Sequence, residues 1–182
     1  HFASWSRRWR FQDDGSVRRI VEALLGAGAH ANAPTKIIGG WTPLFFAAHA
    51  HSLDAIQTLL AHGADATMRC ALGSTPLFQA VGDASAAGEG GTSHICAVAT
   101  VLIDAGVDVN AQLVIGKTVL DEASLTYHGG AHGKFSELAA LLRQRGAMTK
   151  HEVMSQPGYE QSDRSFGEIK SYVSTFGELA TL

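Results

Sequence analysis

Apolar residues return at intervals of three and four at Ile56, Leu59 and Leu60, and again at Val98, Val101, Leu102 and Ile103. That spacing sets each group on one side of a 3.6-residue helix, so it predicts two amphipathic helices with a single buried stripe each. Gly63 and Gly106 follow the stripes, with Gly28 and Gly146 in matching places, where a helix stops in the left-handed conformation. Thr42-Pro43 and Thr75-Pro76 mark helix starts, because Thr can cap and the first helical position accepts Pro at little cost. A last stripe of Phe166, Ile169, Val173, Phe176 and Leu179, with Tyr172 alongside and Ser165 as cap, predicts an amphipathic helix over 165–182. The longest apolar run, Cys96 to Ile103 with only Thr100 interrupting, falls far short of the roughly 20 residues of a membrane span, so no membrane segment is expected.

These elements recur in phase. Gly40-Trp41-Thr42-Pro43-Leu44-Phe45-Phe46-Ala47-Ala48 returns 33 residues on as Gly73-Ser74-Thr75-Pro76-Leu77-Phe78-Gln79-Ala80-Val81, and more loosely as Gly116-Lys117-Thr118-Val119-Leu120-Asp121-Glu122-Ala123-Ser124. A second motif keeps step: Leu24-Leu25-Gly26-Ala27-Gly28, Leu59-Leu60-Ala61-His62-Gly63, Leu102-Ile103-Asp104-Ala105-Gly106 and Leu141-Leu142-Arg143-Gln144-Arg145-Gly146. With this period and a T-P-L-H-x-A-like marker the chain resembles the ankyrin repeat family. The resemblance implies an all-α repeat solenoid in which each unit is helix, turn, helix and a hairpin-like finger, and stacking supplies the core that no unit can build alone. Four units are expected, at 16–39, 40–72, 73–115 and 116–149, and the closing stretch Leu141–Thr149 is similar to the final repeat of bacterial members. Residues 1–15 then form an N-terminal cap segment whose Trp5, Trp9 and Phe11 cover the open end. Residues 150–164, polar around Pro157-Gly158, form a linker to the C-terminal helix 165–182. That helix either docks on the last repeat or engages another chain, a second copy included.

Spacing locates the departures. Thr42 to Gly63 is 21 residues, but Thr75 to Gly106 is 31 and Thr118 to Gly146 is 28, so units three and four carry insertions between their helices, near Gly82–Ser93 and Thr126–Gly133. Both are rich in small residues and are expected as loops. The family's histidine after T-P-L gives way to Phe45, Phe78 and Asp121; the resemblance implies a lost tie between units, with buried ring area in its place. Asn32 and Asn110 hold the family's finger asparagine, which ties the finger turn.

The family's ordinary task is protein recognition by fingers and inner helices. Carried over by motif, the partner-binding positions are Ile37, Ile38 and Trp41; Arg69, Leu72 and Ser74; Leu113, Val114, Ile115 and Lys117; and His49 at the inter-helix turn. Finger tips this apolar, with an aromatic residue and an Arg among them, have the composition of an interaction hot spot. The alternative is that the tips bury one another. A rival reading starts from the histidines: His49, His51, His94, His128 and His132 fall along one edge, and flexible insertions could gather three imidazoles around zinc.

Composition narrows the rest. The net charge is -3, and because residues 1–19 hold five Arg against Asp13 and Asp14, the remainder carries nine basic and fifteen acidic residues. This argues against a nucleic-acid-binding body, despite the basic and aromatic stretch Trp5–Phe11. No P-loop, GxSxG elbow or HExxH occurs, so no catalytic residues and no cofactor are expected and the protein is read as a non-enzyme. Cys70 is expected as a surface thiol beside Arg69 and Cys96 on a buried helix stripe; with no disulfide framework and no basic-then-apolar leader in view, the expected compartment is the cytoplasm.

Overall fold

The computed structural model describes residues 16–35, 39–82, 91–125 and 136–159. Among them run eight helices and no strand: α1 (Ser16–Gly26), α2 (Pro43–His49), α3 (Leu53–Ala61), α4 (Pro76–Gly82), α5 (Gly91–Asp104), α6 (Val119–Leu125), α7 (Ser136–Gln144) and α8 (Lys150–Met154). The short helices α2, α4 and α6 stack as an inner layer, α1, α3, α5 and α7 as an outer one, and each inner helix packs on the outer helix that follows it. The all-α solenoid follows from the phased stripes.

Inner helices bury Leu44, Phe45, Leu77 and Val81, and outer helices answer with Ile56, Ile95, Val98, Leu102, Leu138 and Leu142. Phe45 and Phe78 are both buried, so ring area does occupy the place of the family histidine. Asp121 behaves differently. Its carboxylate accepts from the Thr118 amide and hydroxyl, each at 2.9 Å, and from the Lys150 amide at 2.9 Å, which restores a tie to the next helix along. Each outer helix ends as expected, with Gly28, Gly63, Gly106 and Gly146 at φ of +91°, +82°, +93° and +85°.

The threonine caps are less uniform than the motif suggests. Thr75 Oγ1 accepts from the Phe78 amide at 3.3 Å and Thr118 Oγ1 from the Asp121 amide at 3.3 Å, but the Thr42 hydroxyl makes no such bond, and α2 starts on the extended backbone of Thr42 and on Pro43.

The asparagines do more than close a turn; they join one unit to the next. Asn32 Nδ2 donates to Gly63 O at 2.9 Å while Asn32 Oδ1 accepts from the Asp65 amide at 2.7 Å. Asn110 repeats the pair on Gly146 O and the Met148 amide, at 3.1 and 2.8 Å. Thr67 stands between them in register, and its shorter side chain bonds Asp65 instead.

Two boundaries shift. Gly82 closes α4 and Gly91–Ser93 open α5, so the ends of the first insertion are helical; residues 83–90 and the second insertion lie outside the described residues. The stretch expected as a linker from residue 150 begins with α8, held by a full capping box in which Thr149 Oγ1 accepts from the Glu152 amide and the Glu152 carboxylate from the Thr149 amide. Residues 1–15 and the expected helix 165–182 are also outside the described residues. No helix among the described residues is long and apolar enough to cross a membrane.

Candidate recognition surface

Each of the three fingers closes through two backbone bonds: Thr35 N to Trp41 O at 2.8 Å with Gly40 N to Thr35 O at 3.2 Å, Cys70 N to Ser74 O at 3.0 Å with Gly73 N to Cys70 O at 2.8 Å, and Leu113 N to Lys117 O at 2.9 Å with Gly116 N to Leu113 O at 2.7 Å. The reversal needs a left-handed residue, supplied by Gly40, Gly73 and Gly116. Neighbouring fingers then join side by side, Ala71 N donating to Gly39 O at 2.8 Å and Val114 N to Leu72 O at 3.1 Å. The row ends at Ile115, whose carbonyl accepts from Lys150 Nζ at 3.0 Å. A row cross-linked in this way is ordered before anything binds, so binding costs little conformational entropy.

Leu72 and Ile115 stand out on it, 46% and 60% exposed, with Leu113 and Val114 half-buried beside them. Arg69 is exposed, 3.9 Å from Asp108. Ile37 and Ile38 are outside the described residues.

Three expectations change. Trp41 is no free tip: its ring stacks on buried Phe45 at 5.9 Å and meets Phe46 and His49 edge-on at 5.3 and 5.7 Å, because the finger brings it down over α2. Ser74 is 3% exposed and accepts from Gln79 Nε2 at 2.8 Å, so its hydroxyl faces its own unit and not a partner. Cys70, expected at the surface, is 5% exposed, since the hairpin turns it inward where its amide closes the finger. For Cys96, burial first and the Glu137 charge second push the thiol above its ordinary value, which disfavours thiolate chemistry.

One register repeats across the surface and escaped the sequence reading. The last finger residue always meets the side chain five positions on: Trp41 meets Phe46 as two rings, Ser74 meets Gln79 through a neutral hydrogen bond, and Lys117 meets Glu122 as an ion pair. The same slot therefore runs from aromatic, through neutral polar, to charged along the array. The five-residue spacing was visible in the sequence, but without the finger's return path nothing joined its ends.

Among the described residues the histidines do not gather into a ligand set. His94 Nε2 lies 2.7 Å from His51 O, and His51 Nε2 lies 2.7 Å from Ala80 O. A carbonyl only accepts, so both rings donate from Nε2, and together they tie the turn of unit two to the helices of unit three. His51 is buried for this purpose and adopts φ +53°. His49 lies under Trp41, and His128 and His132 are outside the described residues. Among the described residues no three His, Cys, Asp or Glu side chains come together as a metal site.

A model of ankyrin repeats in three copies matches residues 12–113, more than half of the chain. The chain is 38% identical over 81 residues, 40% of its length, to the 2-5A-dependent ribonuclease of Mus musculus, and 41% identical over 61 residues, 34% of its length, to that of Homo sapiens. It spans only 11% and 8% of those two proteins, so the likeness covers a small part of each.

Proposed function

Because the chain belongs to the ankyrin repeat family, we propose that it is a non-enzymatic binding module whose finger row and inner-helix surface take a protein partner. Ankyrin repeats bind protein partners in general; the choice of face for this chain rests on one observation. Leu72 and Ile115 are large, apolar and exposed on neighbouring fingers whose backbones are bonded together, so their burial on binding brings apolar contact without much ordering cost.

Around that pair the half-buried Leu113 and Val114 widen the apolar strip, Arg69 stands at its edge, and the slot residues set its polarity. Phe46, exposed beside Trp41 and His49, offers an aromatic end near unit two, whereas Lys117 and Glu122 offer a charged end near unit four. A partner with apolar residues along one strip and polar ones toward the unit-four end matches this order. The ribonuclease named among the relatives is similar to this chain over a short stretch, and its activity stays with it. A cytoplasmic home accords with two free cysteines, one buried and one half-buried.

The test is capture from the source lysate with the full chain and with Leu72→Asp/Ile115→Asp as baits, read by mass spectrometry. A protein held by the unmodified chain and lost by the folded double variant is expected. Equal retention by both baits contradicts this choice of surface.

A further inference from the structure

We infer that Lys150 is the charged end of the recognition strip, and that a partner seated on Ile115 carries a carboxylate beside its apolar residue. The inference rests on the finger row being the recognition surface, and it names the chemistry that the row reads at its unit-four end.

The row shows how a cation comes to stand there. Gly39, Leu72 and Ile115 each precede the glycine of a finger and so share one register. The Gly39 and Leu72 carbonyls accept from an amide of the next finger, Ala71 N and Val114 N. On finger three Lys150 Nζ takes the place of that amide, donating to the Ile115 carbonyl at 3.0 Å. Its stem lies across Gly116, where an added Cβ would come within 2.9 Å of Lys150 Cε. The root is fixed as well, because the Lys150 amide donates to Asp121 Oδ2 at 2.9 Å and the Thr149–Glu152 cap holds the start of α8. An ammonium placed in this way is exposed yet already ordered, so an anion that joins it meets little of the usual side-chain entropy cost.

Its charge is also uncompensated. Lys117, Arg143 and Arg145, at the same end of the array, form salt bridges with Glu122, Glu152 and Asp104. Lys150 Nζ bonds a neutral carbonyl instead, and among the described residues it has no carboxylate within salt-bridge distance. An ammonium has three donors, of which Ile115 takes one, so two are left for a ligand. A carboxylate accepts from such a donor at about 2.8 Å, which keeps it within about 6 Å of the Ile115 carbonyl. An extended chain advances about 3.3 Å per residue, so the acid belongs about one to three residues from the side chain that covers Ile115. Ile115 itself is the more exposed of the two apolar tips, at 60%. An apolar and acidic segment therefore fits this end, whereas a basic one meets the same ammonium with repulsion.

Selection from a phage-displayed library of random short peptides, with the full chain as bait, tests this. Enrichment of Asp or Glu is expected about one to three residues from Ile, Leu, Val or Phe, at least about threefold over the library. Lys150→Arg is expected to keep that preference, Lys150→Met to lose it and Lys150→Glu to replace it with Lys or Arg, the apolar residue staying throughout. Peptides bound through the tips with no acidic preference overturn the inference, as does a preference that Lys150→Glu leaves unchanged. Enrichment of no sequence overturns it too. Peptides that bind Leu72→Asp/Ile115→Asp as tightly as the unmodified chain sink the recognition surface itself, which separates that failure from a failure of Lys150 alone. Should Lys150→Glu disturb α8, seen as faster exchange of its amides, salt decides. The selected peptide, made synthetically, is then expected to bind the unmodified chain at least about threefold more weakly at about 0.5 M NaCl than at about 0.05 M, and an unchanged Kd contradicts the assignment.

Discussion

At the residue scale the glycines separate two kinds of constraint. Gly63 and Gly73 both have φ in the left-handed region, +82° and +75°, but a Cβ on Gly63 meets nothing within 4 Å, whereas one on Gly73 comes within 2.8 Å of the Gln112 carbonyl oxygen. Gly63→Ala therefore carries only the backbone cost, about 1 kcal/mol. Gly73→Ala adds a clash with the backbone of the next finger and is expected to lose at least about twice as much. Urea unfolding of the two variants checks the order, and equal losses would show that finger three gives way freely. The motif readily marked both glycines but not this difference, because it depends on how closely finger three approaches finger two. Ser74 and Cys70 were misplaced for a related reason: a hairpin of five residues turns alternate side chains inward, and which ones face inward depends on the neighbour it rests against. His51 and His94 looked like ligands in the sequence because their carbonyl partners come from backbone that no side-chain pattern displays.

The elements show how repeats are joined and ended. Asn32 and Asn110 each make two bonds to the following unit, while Thr67 in the same register makes none. Asn110→Ala is expected to cost about 1–2 kcal/mol for two lost bonds, and Thr67→Asn to gain about 1 kcal/mol by completing the series. Urea midpoints read both, and a Thr67→Asn variant no more stable than the parent counts against the series. At the other end α8 closes the array through Thr149, Glu152 and Arg143. The Thr149 amide first, and then the Arg143 guanidinium, hold the Glu152 carboxyl at about 2, below the ordinary 4.5. A carboxyl lowered in the folded state stabilises above its unfolded value, and that contribution drains away as pH falls from 4.5 toward 2. Glu152→Gln is therefore expected to flatten the loss of α8 amide protection over that window; an identical pH profile in both chains contradicts it. The Thr-x-x-Glu signature of this cap was present in the sequence. Too few apolar residues follow it to draw a helical stripe, and α8 is held by Asp121, Arg143 and its own cap instead of by a buried face.

At the scale of the whole molecule, two phased motifs carried nearly all of the architecture of the described residues, since stacking repeats leave little freedom once the period is known. Function was less open to such reading. The apolar tips Leu72 and Ile115 are legible in the sequence, but that Trp41 rests on Phe45 instead of standing free at a finger tip depends on the path of the finger over α2. The slot that changes from aromatic to charged emerges only when fingers and inner helices are viewed together. Once a partner is in hand, titration calorimetry of that partner against the full chain, Leu72→Asp/Ile115→Asp and the outer-helix variant Gln57→Asp tests the central claim most directly. Two hot-spot residues together are worth on the order of a hundredfold or more in Kd. The account predicts a loss of that size for the finger variant, with unchanged melting and no loss for Gln57→Asp; the reverse pattern, affinity kept by the finger variant and lost by the outer-helix one, would contradict it.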